Sequence, residues 1–80
     1  MFVYILRSLV KSSVYVGISD NPERRLKEHN RGKVRTTRKC RPWEIVYQEI
    51  VNDRLEARQR EKYLKSAAGR RFRKKLFVGL

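Results

Sequence analysis

The chain has 80 residues, of which 21 are Lys or Arg and 8 are Asp or Glu, for a formal net charge of +13. That length gives one hydrophobic core and no room for a second, and a cationic excess this dense is the footprint of a polyanion partner, most often nucleic acid. No stretch approaches the ~20 apolar residues of a membrane-spanning helix, and one cysteine with one histidine excludes an internal disulfide and a zinc site. The expectation is a single domain over residues 1–80, intracellular and cytoplasmic, with no membrane attachment.

The opening "MFVYILRSLV" is apolar for six residues before Arg7 and has neither a basic leading region nor a small-residue cleavage site. It reads as a strand rather than a signal peptide. Residues 2–7 and 13–18 are both β-rich, and the segment between them is close to hairpin length without an Asn-Gly or Asp-Gly turn. In "SDNPERRLKEHN" the pattern changes. Ser19, Asp20 and Asn21 are capping candidates, Pro22 suits a first turn, and Glu23 sits near the positive helix end. A helix over about 21–30 follows, ended by Asn30 and Gly32.

Residues 31–41, "RGKVRTTRKCR", hold six basic residues and no acid. Nothing periodic organises them, so they read as an exposed loop. Cys40 lies among these charges, but the simpler reading is a solvent-facing cysteine without a role. "WEIVYQEIV", 43–51, resumes strand alternation, with Trp43, Ile45, Tyr47 and Val51 set against Val46 and Ile50. "NDRLEARQREKYLKSAAG" then opens with Asn52 or Asp53 as cap, Glu56 being placed to complete a capping box with Asp53. The spacing predicts a helix to about Ala68 that stops at Gly69. "RRFRKKLF" reads as a short basic helix docking Phe72 and Leu76 on one face. The order β-β-α-β-α-α gives an α+β fold: a three-stranded, mainly antiparallel sheet flanked by helices, expected over one face.

Several residues fit a structural role poorly. Arg25 and His29 are four apart on the first helix and share a face. Taken alone, a solvated basic face accounts for them, but the imidazole is the one side chain here that titrates near neutrality. Glu61 has Ala57, Leu64 and Ala68 as its helical neighbours, a small and apolar stripe. A carboxylate there needs a positive partner to offset desolvation. An arginine or a divalent cation would serve equally, Mg2+ being commonly held by one or two carboxylates with water and phosphate oxygens. Tyr4 and Tyr15, one on each strand, are ordinary as core aromatics. Together, two phenols, an arginine, an imidazole and one inward carboxylate are parts for metal-assisted phosphodiester hydrolysis.

Phe2-Val3-Tyr4 and Tyr15-Val16-Gly17, with Arg25 ten residues after the second tyrosine, His29 one turn later and Glu61 in the second long helix, resemble the signature of the GIY-YIG nucleases. The likeness is greatest to small stand-alone bacterial members related to the nuclease domain of the excision-repair incision subunit, and it covers nearly the whole chain. The resemblance implies a mixed α/β fold around a three-stranded antiparallel sheet, and hydrolysis of a DNA phosphodiester with one Mg2+ or Mn2+ ion. It implies that Glu61 ligates the metal, that Tyr15 or His29 helps activate water, that Tyr4 orients that network and that Arg25 holds the scissile phosphate. Three departures stand out. Phe2 replaces the first glycine; the asparagine that several branches carry about a dozen residues after the glutamate has no match in "FRKK"; and no counterpart to the second domain of many relatives is expected.

The cations of the loop (Arg31, Lys33, Arg35, Arg38, Lys39, Arg41) and of the tail (Arg70, Arg71, Arg73, Lys74, Lys75) look like phosphate contacts, with few of the Asn or Gln residues that read bases. Binding by charge and shape, weakened by salt, is expected. Branched, nicked or damaged DNA fits better than a fixed sequence, unless a partner protein or a homodimer supplies selectivity. A metal-dependent DNA endonuclease of repair or recombination is the leading reading. The alternatives are a non-catalytic nucleic-acid-binding module on the same scaffold, touching DNA or RNA, and a basic adaptor for acidic proteins.

Overall fold

The computed structural model describes residues 1–77. Strand β1, Phe2–Ser8, lies between β2, Val14–Ser19, and β3, Trp43–Ile50, and is antiparallel to both. The central position explains its continuous apolar run, because a strand covered on both faces needs apolar side chains on both. Val3 and Ile5 point to one face and Tyr4 and Leu6 to the other, none of them more than 1% exposed.

Two cores result. Val3, Ile5 and Val16 pack with Val51 and with Ala57 and Leu64 of helix α2, Arg54–Lys65. Tyr4, Leu6 and Trp43 form the second core, with Tyr15, Ile45 and Leu26 of helix α1, Pro22–Asn30, against them. The expectation of helices over one face is therefore corrected. Helices cover both faces, because β1 presents apolar side chains to both.

Helix α1 starts where capping predicts. The Asn21 side chain accepts from the Arg24 N–H, and Pro22 follows as the first helical residue. It ends with Gly32 at φ 79°, whose N–H returns to the His29 carbonyl. Strand β3 departs from simple alternation. Ile5 pairs with Tyr47 but Leu6 pairs with Ile45, so Val46 is a bulge residue. The bulge turns Tyr47 to the Val3 face, where its ring meets Phe72 edge-on at 5.0 Å, while Trp43 and Ile45 stay on the Tyr4 face.

The second long helix is shorter than predicted. Asp53 caps α2 by accepting from the Glu56 N–H at 2.8 Å. The helix breaks at Ser66 (ψ 175°), and α3, Ala67–Phe77, begins at once. Gly69, predicted as a stop signal, lies instead in the first turn of α3. A Cβ there would stand 2.3 Å from the Tyr63 carbonyl oxygen and 2.5 Å from Leu64 backbone. The glycine thus serves close approach of α3 to the end of α2. Arg73 donates to the Leu64 carbonyl, closing the α2 terminus from α3, while Phe72 and Leu76 dock on the Val3 core as the spacing predicts.

Candidate active site

The site is assembled around Gly17. In the β1–β2 ladder Tyr4 faces Gly17 and Leu6 faces Tyr15, so the two phenols form a diagonal pair on one face, ring centroids 6.3 Å apart. A Cβ on residue 17 would lie 2.7 Å from the Tyr4 hydroxyl and 2.8 Å from a Tyr15 ring carbon. The glycine leaves the space that both rings occupy.

Helix α1 brings the remaining groups. Pro22, Leu26 and His29 recur at helical spacing on its inner face, with His29 fully buried where an aliphatic side chain would otherwise stand. The imidazole lies edge-on to Tyr15, centroids 4.7 Å apart. Its Nε2 is 3.3 Å from the Tyr4 hydroxyl and its Nδ1 2.8 Å from Thr37 Oγ1. Burial first, and then the positive charge of Arg25, push the His29 pKa down to about 4, against a smaller opposing effect of Glu28. The ring is neutral at neutral pH. Burial raises the Tyr4 pKa, with the Arg25 guanidinium beside the phenol opposing it, so Tyr4 keeps its proton.

Arg25 stands at the outer edge of the cluster, one third exposed, and pairs with Glu28 at 2.6 Å. It lines a cleft of about 430 Å3 together with Ser19, Glu28 and Arg54 of α2. A phenol donor, a neutral imidazole acceptor and a guanidinium are therefore contiguous, the last open to solvent. Tyr4, Tyr15, Arg25 and His29, drawn from β1, β2 and α1, are brought together.

Glu61 is placed differently. It lies between buried Ala57 and Leu64 on the inner stripe of α2, which packs against β2 and β1 from the opposite face. Its side chain is 23% exposed and meets Lys65 at 3.4 Å, and among the described residues no hydrogen bond joins it to the tyrosine cluster. The arginines pair more tightly, at 2.6–2.9 Å, with Glu44, Asp20, Glu28 and Glu49. Of the ion-paired carboxylates of the described residues, that of Glu61 is thus held at the longest distance. Among the described residues no three His, Cys, Asp or Glu side chains gather into a metal-binding group. One such carboxylate suits a hard cation that takes its other oxygens from water and substrate, and not zinc.

The basic loop is less open than its composition predicts. Arg31, Lys33, Arg35, Arg38, Lys39 and Arg41 are all exposed, but Thr37 among them is buried and holds His29. Cys40, expected to face solvent, is half-buried against the Tyr4 core. The short 3-10 turn Arg38–Cys40 folds onto the sheet, where the Ser8 hydroxyl donates to the Cys40 carbonyl. In the tail Arg70, Arg71, Lys74 and Lys75 are exposed, whereas Arg73 gives an N–H to α2.

Sequence reasoning missed Glu28, Thr37 and the clamp on Trp43. Glu28 was open to detection, since a carboxylate three residues after Arg25 on a helix is a neighbour by periodicity. Asn30 accepts from the Trp43 N–H at 2.6 Å and donates to its carbonyl at 3.1 Å, tying the end of α1 to β3. No local pattern marks that pairing or the burial of Thr37.

A family model for the GIY-YIG catalytic domain matches residues 1–75. The chain belongs to the GIY-YIG family. The tyrosines, arginine, histidine and glutamate that carry the resemblance all lie within that match. A UPF0213 protein of Desulfotalea psychrophila is 40% identical over 74 residues, covering 90% of this chain and 66% of the relative. A UPF0213 protein of Staphylococcus haemolyticus is 38% identical over 66 residues, 81% of this chain and 79% of that one. The "Structure-specific endonuclease subunit SLX1" of Podospora anserina is 56% identical over 50 residues, which are 55% of this chain. The chain spans only 14% of that fungal protein's length. No solved structure matches significantly.

Proposed function

We propose that this GIY-YIG protein is a divalent-metal-dependent endonuclease that hydrolyses DNA phosphodiester bonds at branched, nicked or damaged sites, in repair or recombination. The observation that carries the reading is the Tyr4–Tyr15–His29 cluster closed over Gly17, with the Arg25 guanidinium at its open edge. The similarity to a structure-specific endonuclease subunit supports DNA structure, rather than sequence, as what is recognised.

In this mechanism Arg25 exchanges Glu28 for the scissile phosphate and neutralises charge that develops on its oxygens. The Tyr15 hydroxyl orients the attacking water, whose proton passes through the Tyr4 phenol to Nε2 of neutral His29 while the leaving oxygen takes a proton from solvent. Tyr4, still protonated, orients the network. The strand β2 is an edge strand between the tyrosine face and α2. In this reading a phosphate lying along it would take Arg25 from the α1 side and Glu61 from the α2 side. Glu61 would hold one Mg2+ or Mn2+, which supplies charge neutralisation at the leaving oxygen when bound. The exposed loop and tail cations contact phosphates on either side of the cut.

The test is cleavage of supercoiled plasmid and of nicked and branched oligonucleotides with Mg2+ or Mn2+, comparing wild type with Glu61→Ala. Metal-dependent cutting by wild type, abolished in the variant with DNA affinity retained, is expected. Equal inertness of the two proteins while both bind DNA leaves a non-catalytic binding module. Equal cutting removes Glu61 from the mechanism.

A further inference from the structure

Thr37 belongs to the loop between α1 and β3, whose cations carry the proposed DNA contacts. Its side chain is not part of that surface, since the residue is 3% exposed. A threonine hydroxyl has one proton to give, and Thr37 Oγ1 gives it to the Val34 carbonyl at 3.3 Å. With that proton kept on the Val34 carbonyl, the assignment proposed below, Nδ1–H of His29 donates to Oγ1 in the 2.8 Å contact. In a neutral imidazole this leaves the lone pair on Nε2, the nitrogen 3.3 Å from the Tyr4 hydroxyl. Thr37 is itself fixed. Its carbonyl accepts from the Trp43 indole N–H at 2.9 Å and from the Cys40 N–H at 3.1 Å, and Asn30 clamps the Trp43 backbone.

We propose that Thr37 is a positioning residue for the reaction. It fixes His29 in the Nδ1–H tautomer, so that Nε2 is the proton acceptor facing the Tyr4 phenol, and it makes correct folding of the DNA-binding loop a condition for that orientation. This rests on reading the tyrosine–histidine cluster as the hydrolytic site. With the opposite tautomer, Nε2–H would donate to the Tyr4 oxygen, and the imidazole would have no lone pair facing the phenol to take its proton. A cationic ring would fail in the same way, and the depressed His29 pKa keeps that form away at neutral pH.

Two readouts separate this role from a merely structural one. Nitrogen-15 NMR of the imidazole reports the tautomer without DNA or metal, and single-turnover cleavage of branched DNA with Mg2+ reports the chemistry. Wild type and Thr37→Ser are expected to show protonated Nδ1 and bare Nε2. Thr37→Val, close in shape but without the hydroxyl, is expected to lose that bias. Its cleavage rate should fall about tenfold or more at unchanged DNA affinity, within the ~10²–10⁴ that a positioned proton acceptor contributes, and Thr37→Ser should restore it. An Nε2–H tautomer in wild type, an unchanged spectrum in Thr37→Val, or a serine variant as slow as the valine one overturns the proposal. Wild type that cleaves nothing sinks the nuclease reading alone, because the spectra still decide whether Thr37 sets the tautomer.

Discussion

A histidine with none of its surface exposed is costly unless both ring nitrogens have partners. His29 has Tyr4 on one and Thr37 on the other. The groups facing it are Tyr4, Tyr15 and Thr37 from neighbouring segments and Arg25 and Glu28 from its own helix, and burial with the Arg25 charge holds its pKa at about 4. The unfolded chain binds a proton near pH 6.5, so between pH 6.5 and about 4 the unfolded state carries more protons than the folded one. Stability from this group is therefore full above pH 6.5 and declines as pH falls through that window, by up to about 3 kcal/mol. From about pH 4.5 downward Glu28, whose pKa the Arg25 pair holds low, adds a loss of its own. NMR titration of the His29 ring is expected to show a midpoint near 4, and a midpoint near 6.5 would refute the buried neutral imidazole. At this scale the sequence was informative wherever helix geometry fixes the relation between residues. Arg25 and His29 share a face by periodicity alone, and they do so in the fold. The Tyr4–His29 hydrogen bond spans 25 residues and depends on how α1 lies across β1, which no local pattern encodes.

The elements were legible as far as their signals are local. Asn21, Pro22 and Asp53 mark helix starts because capping is decided within a few residues. The bulge at Val46 and the break at Ser66 were not legible, because both answer to tertiary packing. The first turns Tyr47 toward Phe72, and the second lets α3 fold back across Gly69. The loop between α1 and β3 combines both kinds of residue. Its cations face solvent while Thr37, Cys40 and the 3-10 turn bind it to the Tyr4 core. The loop is thus a presented surface rather than a floppy arm, and its charges can be removed without touching His29. Combining Arg35→Ala with Lys39→Ala is expected to reduce the slope of log affinity against log salt by about two on duplex DNA. Binding isotherms across a salt series measure this, and an unchanged slope would show that the loop does not lie against DNA.

For the whole molecule, β1 at the centre of a sheet covered on both faces gives an 80-residue chain enough buried surface for two small cores. The face with Tyr4 and Tyr15 and the face with α2 meet at the β2 edge, and Arg25 and Arg54 converge on one cleft there. No described helix is long and apolar enough to cross a membrane. The whole-chain charge of +13 favours association with a polyanion. Family membership joins this chain to a nuclease-type catalytic domain, and the central claim is that the phenols in it perform chemistry rather than fill a core. Single-turnover cleavage of a labelled branched DNA with Mg2+ by Tyr15→Phe, set beside its unfolding midpoint, tests that claim most directly. The substitution keeps the ring that packs on His29 and removes one hydroxyl. Near-normal stability with cleavage reduced by about a hundredfold or more is the predicted result, and cleavage at the wild-type rate would return Tyr15 to the core.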